Sequence, residues 1–187
     1  MAYFLETERL GLREFRRSDA PAMFALDSDP EVMRYLGPVM TDPEAARRAL
    51  EERVLPYYAE NPGYGFFVAE EKVTGAFLGW FLLRPGLHFR FAQEVGFTAD
   101  DTEVGYRLMR FCWGRGLGTE GAARLRDHAF EARETACVAA ITLATNLASR
   151  RVMEKIGLRF ECERLLPGFA DPAVVYRLCR TPSSPSS

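Results

Sequence analysis

The residues Trp113-Gly-Arg-Gly-Leu-Gly-Thr119 concentrate the chemistry that can be read from this chain. Three alternating glycines remove side chains where a backbone must approach something closely and adopt unusual dihedrals. A helical pattern follows, from about Gly118 to Ala132. The first turn of that helix offers unpaired N–H groups and the positive end of its dipole. Such a turn is an anion site whose usual occupant is a diphosphate, and Arg115 adds a charge-assisted contact. The bland alternative is a turn that packs tightly and binds nothing. Gly116-Leu-Gly-Thr-Glu-Gly121 also fits G-x-G-x-x-G. That fingerprint needs an acidic residue at the end of the next strand, which here ends in Ala144-Thr145-Asn146, and too little chain follows for a doubly wound sheet. No Gly-Lys-Ser/Thr occurs, so a Walker A loop is excluded as well.

Two further residues could move protons. Glu103 sits on the strand entering the turn and is the candidate base, with an exposed, inert strand residue as the alternative and Glu94, Glu161 and Glu163 as substitutes. Ser149 is a candidate donor; equally, Asn146 and Ser149 flank a helix start where both side chains serve as caps. Cys112 beside the turn has no histidine near it in sequence and reads as a packed thiol, while His128 falls mid-helix among apolar residues and reads as structural. The cysteines at 112, 137, 162 and 179 stand apart with no Cys-x-x-Cys pair, so neither a metal site nor a disulfide is expected.

Positioning these residues requires a sheet with helices around it. Arg9–Phe15 alternates with period two and reads as a strand, followed by a helix capped by Ser18-Asp19 and a short one over Pro30–Leu36. Thr41-Asp-Pro-Glu44 is a capping box opening a helix towards Tyr58, interrupted at Pro56. Gly65–Glu70 and Ala76–Leu83 form a hairpin, and the stretch 84–101 carries no clear pattern beyond a Pro85-Gly86 turn. Glu103–Met109 is a strand, and Val138–Thr145 reads as a central strand buried on both faces. A helix over Ala148–Ile156 stops at Gly157, and strands near Leu158–Glu163 and Val174–Leu178 close the domain. The strand–turn–helix–strand crossover makes one pair parallel in an otherwise antiparallel sheet. The fold class is α+β (mixed α/β), with one domain over 1–180 and a Pro/Ser-rich tail, 181–187, expected to be disordered.

The 187 residues are 48% hydrophobic and 27% charged, with 24 basic against 26 acidic, which suits one globular domain. A net charge of −2 gives no footprint for nucleic acid or an anionic membrane. No apolar run approaches the roughly 20 residues of a membrane helix, and the N-terminus turns acidic too early for a signal peptide. A cytoplasmic location is expected.

The turn resembles the diphosphate motif of the GNAT superfamily of acyl-CoA-dependent N-acetyltransferases, Gln/Arg-x-x-Gly-x-Gly/Ala, which falls on Trp113–Gly118. Tryptophan replaces the leading Gln/Arg, as in the ribosomal-protein-alanine (Rim-type) branch. Thr7-Glu-Arg-Leu-Gly-Leu-Arg13 and Asp29–Leu36 are similar to that branch's opening, Glu103-Val-Gly-Tyr106 to its strand before the turn, and Asn146–Ser149 through Glu154–Leu158 to its last helix. The resemblance runs from Leu5 to Leu178. It implies a twisted, mostly antiparallel sheet with a splayed parallel strand pair, and acetyl-CoA as cosubstrate without a metal. Backbone groups of Leu108 and Met109 would pair with the pantetheine arm, those of Arg115, Gly116, Leu117, Gly118 and Thr119 would cradle the diphosphate, and Asn146 would touch the pantetheine beside Ser149. Where the family has proline, this chain has Arg110; where many members have an acidic tyrosine, it has Met153.

The reaction so implied is direct attack of a primary amine on the thioester through a tetrahedral intermediate. An α-amine with a pKa of about 7.7–8 needs only a weak base, whereas lysine at about 10.4 needs a stronger one. With no histidine near the site in sequence, a peptide or protein N-terminus is the expected acceptor. Small amines, a non-catalytic CoA-binding module and a homodimer stay open. The amine would enter between the helices before residue 60, past Phe24, Met33, Tyr35, Tyr57 or Tyr58, and the 84–101 segment.

Overall fold

A computed structural model describes residues 3–133 and 135–180; the expected disordered tail lies outside them. Eight strands form one sheet: β1 (Leu5–Glu6), β2 (Leu10–Glu14), β3 (Gly65–Glu71), β4 (Phe77–Pro85), β5 (Asp101–Leu108), β6 (Cys137–Leu143), β7 (Arg159–Arg164) and β8 (Ala173–Cys179). Their order is β1-β2-β3-β4-β5-β6-β8-β7. Every pair is antiparallel except β5–β6, as the crossover requires.

That parallel pair is short. β5 matches β6 only at Asp101–Cys137, Thr102–Val138 and Glu103–Ala139. On its other side β5 stays paired with β4 as far as Leu108, opposite Gly79. Beyond Glu103 the two strands therefore diverge, each still held by its outer neighbour, and a gap opens in the middle of the sheet. The gap explains a departure from expectation in β6: Val138, Ala139 and Ala140 are buried, but Ile141–Leu143 are only half-buried, because they line an opening rather than a neighbouring strand.

The two faces carry different layers. Helix α5 (Leu117–Ala132) lies across β4, β5 and β6 on one face, burying Leu117, Ala122, Leu125 and Ala129. Gly121 lets it come so close that a Cβ there would meet the Phe81 ring at 2.2 Å. Helix α6 (Leu147–Lys155) packs beside it. The other face carries α1 (Ala20–Asp27), α2 (Pro30–Met33), α3 (Pro43–Ala49) and α4 (Leu55–Glu60) over a cluster of Phe15, Leu50, Val54 and Val68.

Local sequence chemistry was partly redirected by packing. Asp42, not Thr41, caps α3 by accepting the Glu44 N–H. The expected break at Pro56 is instead a π-helical turn over Leu50–Val54, after which Pro56 falls in the first turn of α4, where its missing N–H costs nothing. Asp19 is drawn away from capping α1 into a bidentate pair with Arg13, at 2.7 and 2.9 Å. The 84–101 segment forms a 3₁₀ turn (Gly86–His88) and further turns whose Ala92, Val95 and Phe97 pack on Ala139 and Val175. The cysteines overturn the expectation of isolated thiols. Cys137 and Cys179, register partners on β6 and β8, form a disulfide, leaving Cys112 and Cys162 free.

Candidate active site

The glycine turn follows β5 through a 3₁₀ turn at Arg110–Cys112 and delivers the chain to α5. Gly114 and Gly116 have φ of 74° and 79°, a left-handed conformation that glycine adopts without penalty. Gly116 is the N-cap of α5 and supplies no side-chain cap, so the first N–H groups of a 16-residue helix face outward with the helix dipole behind them. Leu117 is buried and contributes only backbone, Gly118 presents a bare Cα, and Thr119 is half-buried. A diphosphate fits this chemistry. The Arg115 guanidinium is paired with Glu71 on β3 at 3.0 Å, so its own side chain is already engaged.

The gap between β5 and β6 opens behind this turn. Met109 donates its N–H to the Leu78 carbonyl at 2.9 Å, so, contrary to expectation, that amide is committed to β4. Backbone groups alternate along a strand, which turns the Leu108 N–H towards the gap. The Leu108 carbonyl receives the Trp113 indole N–H at 2.9 Å, fixing the ring over the strand end. An open cavity of about 610 Å³ lies alongside, lined by Asp29 and Glu31 of the α2 start and by Met109, Arg110, Phe111 and Trp113.

Side-chain alternation distributes the remaining groups between the two faces of the gap. Glu103 and Arg107 point to the α1–α4 layer, where Arg107 pairs with Asp27. Glu103 is 5% exposed, not the solvated residue that was its alternative reading, and accepts Arg84 Nε–H at 2.6 Å from its partner position on β4. It stands where β5 and β6 part. Tyr57 of α4 lies beside this pair. Its hydroxyl is pushed up to about 12, chiefly by burial, with Arg84 opposing the rise and Glu103 adding to it. The same hydroxyl meets His88 Nδ1 at 2.7 Å. A histidine therefore does stand near the site, brought there by the segment whose sequence carried no pattern.

Tyr106 points to the opposite face, with its ring against Gly118; a Cβ on that glycine would come within 3.3 Å of it. Burial raises the Tyr106 hydroxyl above its ordinary range, and the neighbouring Ser149 opposes that rise. Asn146 caps α6 by accepting the Ser149 N–H at 3.1 Å. The cap thus uses the serine backbone and not its hydroxyl. Met153 is buried in the core.

Other candidates fall away from the gap. Glu161 pairs with Arg177, and Glu161 and Glu163 both lie on the outer strand β7; Glu94 is exposed on the 84–101 turns. Cys112 is buried with its thiol pushed up by that burial, and His128 packs edge-on against Phe4. Tyr58 bonds the backbone of Phe15 and Phe66, a structural role. Tyr106 was missed by sequence reading, although its position three residues after Glu103, and so on the other face of the strand, was legible from period two.

The profile of the acetyltransferase (GNAT) domain matches residues 9–159. The chain belongs to the GNAT family. The acyl donor of these enzymes is acetyl-coenzyme A, and the uncapped α5 terminus and the open sheet give it a place here. FsC-acetyl coenzyme A-N(2)-transacetylase of Aspergillus fumigatus is 33% identical over 156 residues, covering 82% of this chain and 64% of that protein. Similar solved structures include RimL, a ribosomal L7/L12 α-N-protein acetyltransferase in complex with coenzyme A, with a TM-score of 0.75 at 16% identity over 95% of this chain and 98% of that one. Spermidine N-acetyltransferase of Vibrio cholerae, in complex with CoA and spermine, gives 0.72 at 14% identity over 92% and 96%. At such identities the likeness is one of fold.

Proposed function

We propose that this protein moves an acetyl group from acetyl-coenzyme A to a primary amine, and that the amine is the N-terminal α-amine of a peptide or protein. The observation that carries this reading is the two-sided gap: a buried carboxylate, Glu103, on one face, and a hydroxyl pair, Tyr106–Ser149, on the other. An amine entering from the α1–α4 side would give its proton to Glu103 as nitrogen attacks the thioester carbonyl. The Leu108 N–H would donate to the oxygen as negative charge develops on it. Ser149 would hand a proton to the departing sulfur, with Tyr106 donating to the serine oxygen in turn. The diphosphate would rest on the backbone of Arg115–Thr119, and the pantetheine arm would run beside Leu108 and Asn146.

An acceptor with a pKa near about 8 suits a carboxylate base, which could not deprotonate a lysine readily. Asp29 is partly offset by Arg110 in the neighbouring cavity, and Glu31 leaves its lining with an excess negative charge that attracts an ammonium. A small-molecule amine is the second reading, favoured by the 33% identity to an N(2)-transacetylase. We also propose a cytoplasmic setting, where the acyl donor is available and the Cys137–Cys179 pair would stand reduced; among the described residues no helix is long and apolar enough to cross a membrane. The test is a panel of peptides with free or blocked N-termini, lysine-containing peptides and small amines, read as thiol release. Higher kcat/KM for blocked peptides or small amines would overturn the α-amine assignment, and no release with any amine would leave a coenzyme-binding module.

A further inference from the structure

The opening motif Thr7-Glu-Arg has no part in the chemistry above, yet it reaches the glycine turn from the far end of the chain. The turn between β1 and β2 closes on Glu120, in the first turn of α5. Thr7 Oγ1 donates to Glu120 Oε1 at 2.5 Å, the Arg9 N–H donates to the same oxygen at 2.9 Å, and Arg9 Nε donates to Oε2 at 2.6 Å. Arg9 Nη1 then spans to the Arg115 carbonyl at 2.9 Å. Its Nη2 lies 3.5 Å from where a Cβ of Gly116 would stand. Thr7 is itself fixed by accepting the Leu10 N–H at 2.9 Å, and Lys72 donates its N–H to the Arg9 carbonyl at 2.9 Å.

A loop with two left-handed glycines has much freedom to lose on gripping an anion, and that loss weakens binding unless the loop is held beforehand. We propose that Thr7, Arg9 and Glu120 form a strut that holds the Arg115–Thr119 backbone in its phosphate-binding shape, making Arg9 and Glu120 positioning residues for the coenzyme. This rests on the assignment of that turn as the diphosphate cradle. The strut also resolves an electrostatic oddity. A carboxylate one turn into α5 opposes an anion bound at the helix terminus, and Arg9 compensates it while fastening the loop.

Glu120→Ala separates the strut from simple electrostatics, because the two predict opposite signs. Removing a negative charge near the anion should tighten coenzyme binding; removing the strut should weaken it. Calorimetric titration with coenzyme A is expected to show about a tenfold loss of affinity in Glu120→Ala and in Arg9→Ala, and a smaller loss in Thr7→Val. Pantetheine, which lacks the diphosphate, followed by NMR titration, should bind these variants as it binds the parent. Thr7→Val removes the hydroxyl's bonds to Glu120 and to the Leu10 N–H but neither charge of the strut, and keeps the test open should the alanine variants fail to fold. Unchanged or tighter coenzyme binding in Glu120→Ala overturns the proposal, as does an equal loss for pantetheine. A loss in Arg9→Ala confined to coenzyme A and absent with 3′-dephospho-coenzyme A also overturns it, since that outcome marks a direct contact. Gly116→Val in the same series distinguishes the two levels: if it alone abolishes binding, the cradle stands and the strut falls, and if it binds normally both fall.

Discussion

The proposed coenzyme end and the proposed reacting end of the gap are built by different means. The first is backbone, delivered by consecutive residues from Leu108 to Thr119, and its side chains either point away or are absent. The second is side chains brought from five separate elements: Tyr57 and His88, Arg84 with Glu103, and Tyr106 with Ser149. A backbone cradle has only one way of failing, through loss of its shape. The side-chain end divides its work, so each group can be removed singly with a partial loss.

Gly116→Val should show the first kind of failure most strongly. A β-branched residue at a φ of 79° is strained, and its Cβ would stand 3.5 Å from Arg9 Nη2 at the mouth of the turn. A loss of about 100-fold or more in coenzyme affinity is expected, equivalent to roughly 3 kcal/mol. Calorimetry on a variant with a parental circular dichroism spectrum checks it.

Glu103→Gln should do the reverse, lowering kcat by about 100-fold while leaving coenzyme affinity alone. The deficit should be greatest at low pH, where the amine most needs a proton acceptor, and a pH–rate profile superimposable on the parent's would make Glu103 purely structural. Part of any stability loss would come from Arg84, left buried beside a neutral partner.

Tyr106→Phe and Ser149→Ala should each slow transfer roughly tenfold, and the double variant should lose little more, because the two hydroxyls act in series. Fully additive losses in single-turnover kinetics would separate them. Asn146→Ala, by contrast, removes the α6 cap and is expected to cost about 1 kcal/mol of stability in a denaturant titration.

The smallest effect is in pH. The Glu120 carboxyl sits below its ordinary value: burial acts against this as the largest single influence, but Thr7, the Arg9 N–H and the Arg9 guanidinium together outweigh it. A depressed carboxyl contributes stability that is complete above the unfolded value, about 4.3, and is lost as pH falls through the folded one. Turnover should therefore fail first, as the acceptor amine protonates, while coenzyme affinity holds until pH drops below the usual carboxylate range. Parallel loss of both in a titration from pH 8 to pH 4 would contradict a division between the two ends.

The sequence by itself determined what lies along short runs of chain: the order of strands and helices, the parallel crossover, and a glycine turn with the chemistry of a diphosphate site. These are local matters, set by φ preferences, apolar period and the free N–H groups of a helix start, and they need no partner from elsewhere. Only the tertiary structure decided which side chains meet. Arg84 and Glu103 are 19 residues apart, Tyr57 and His88 31, Cys137 and Cys179 42, and Thr7 and Glu120 113. Such pairings depend on strand register and on the packing of layers. The unpatterned 84–101 segment could therefore hide a histidine of the site, and cysteines that stand apart in sequence could face one another across two strands.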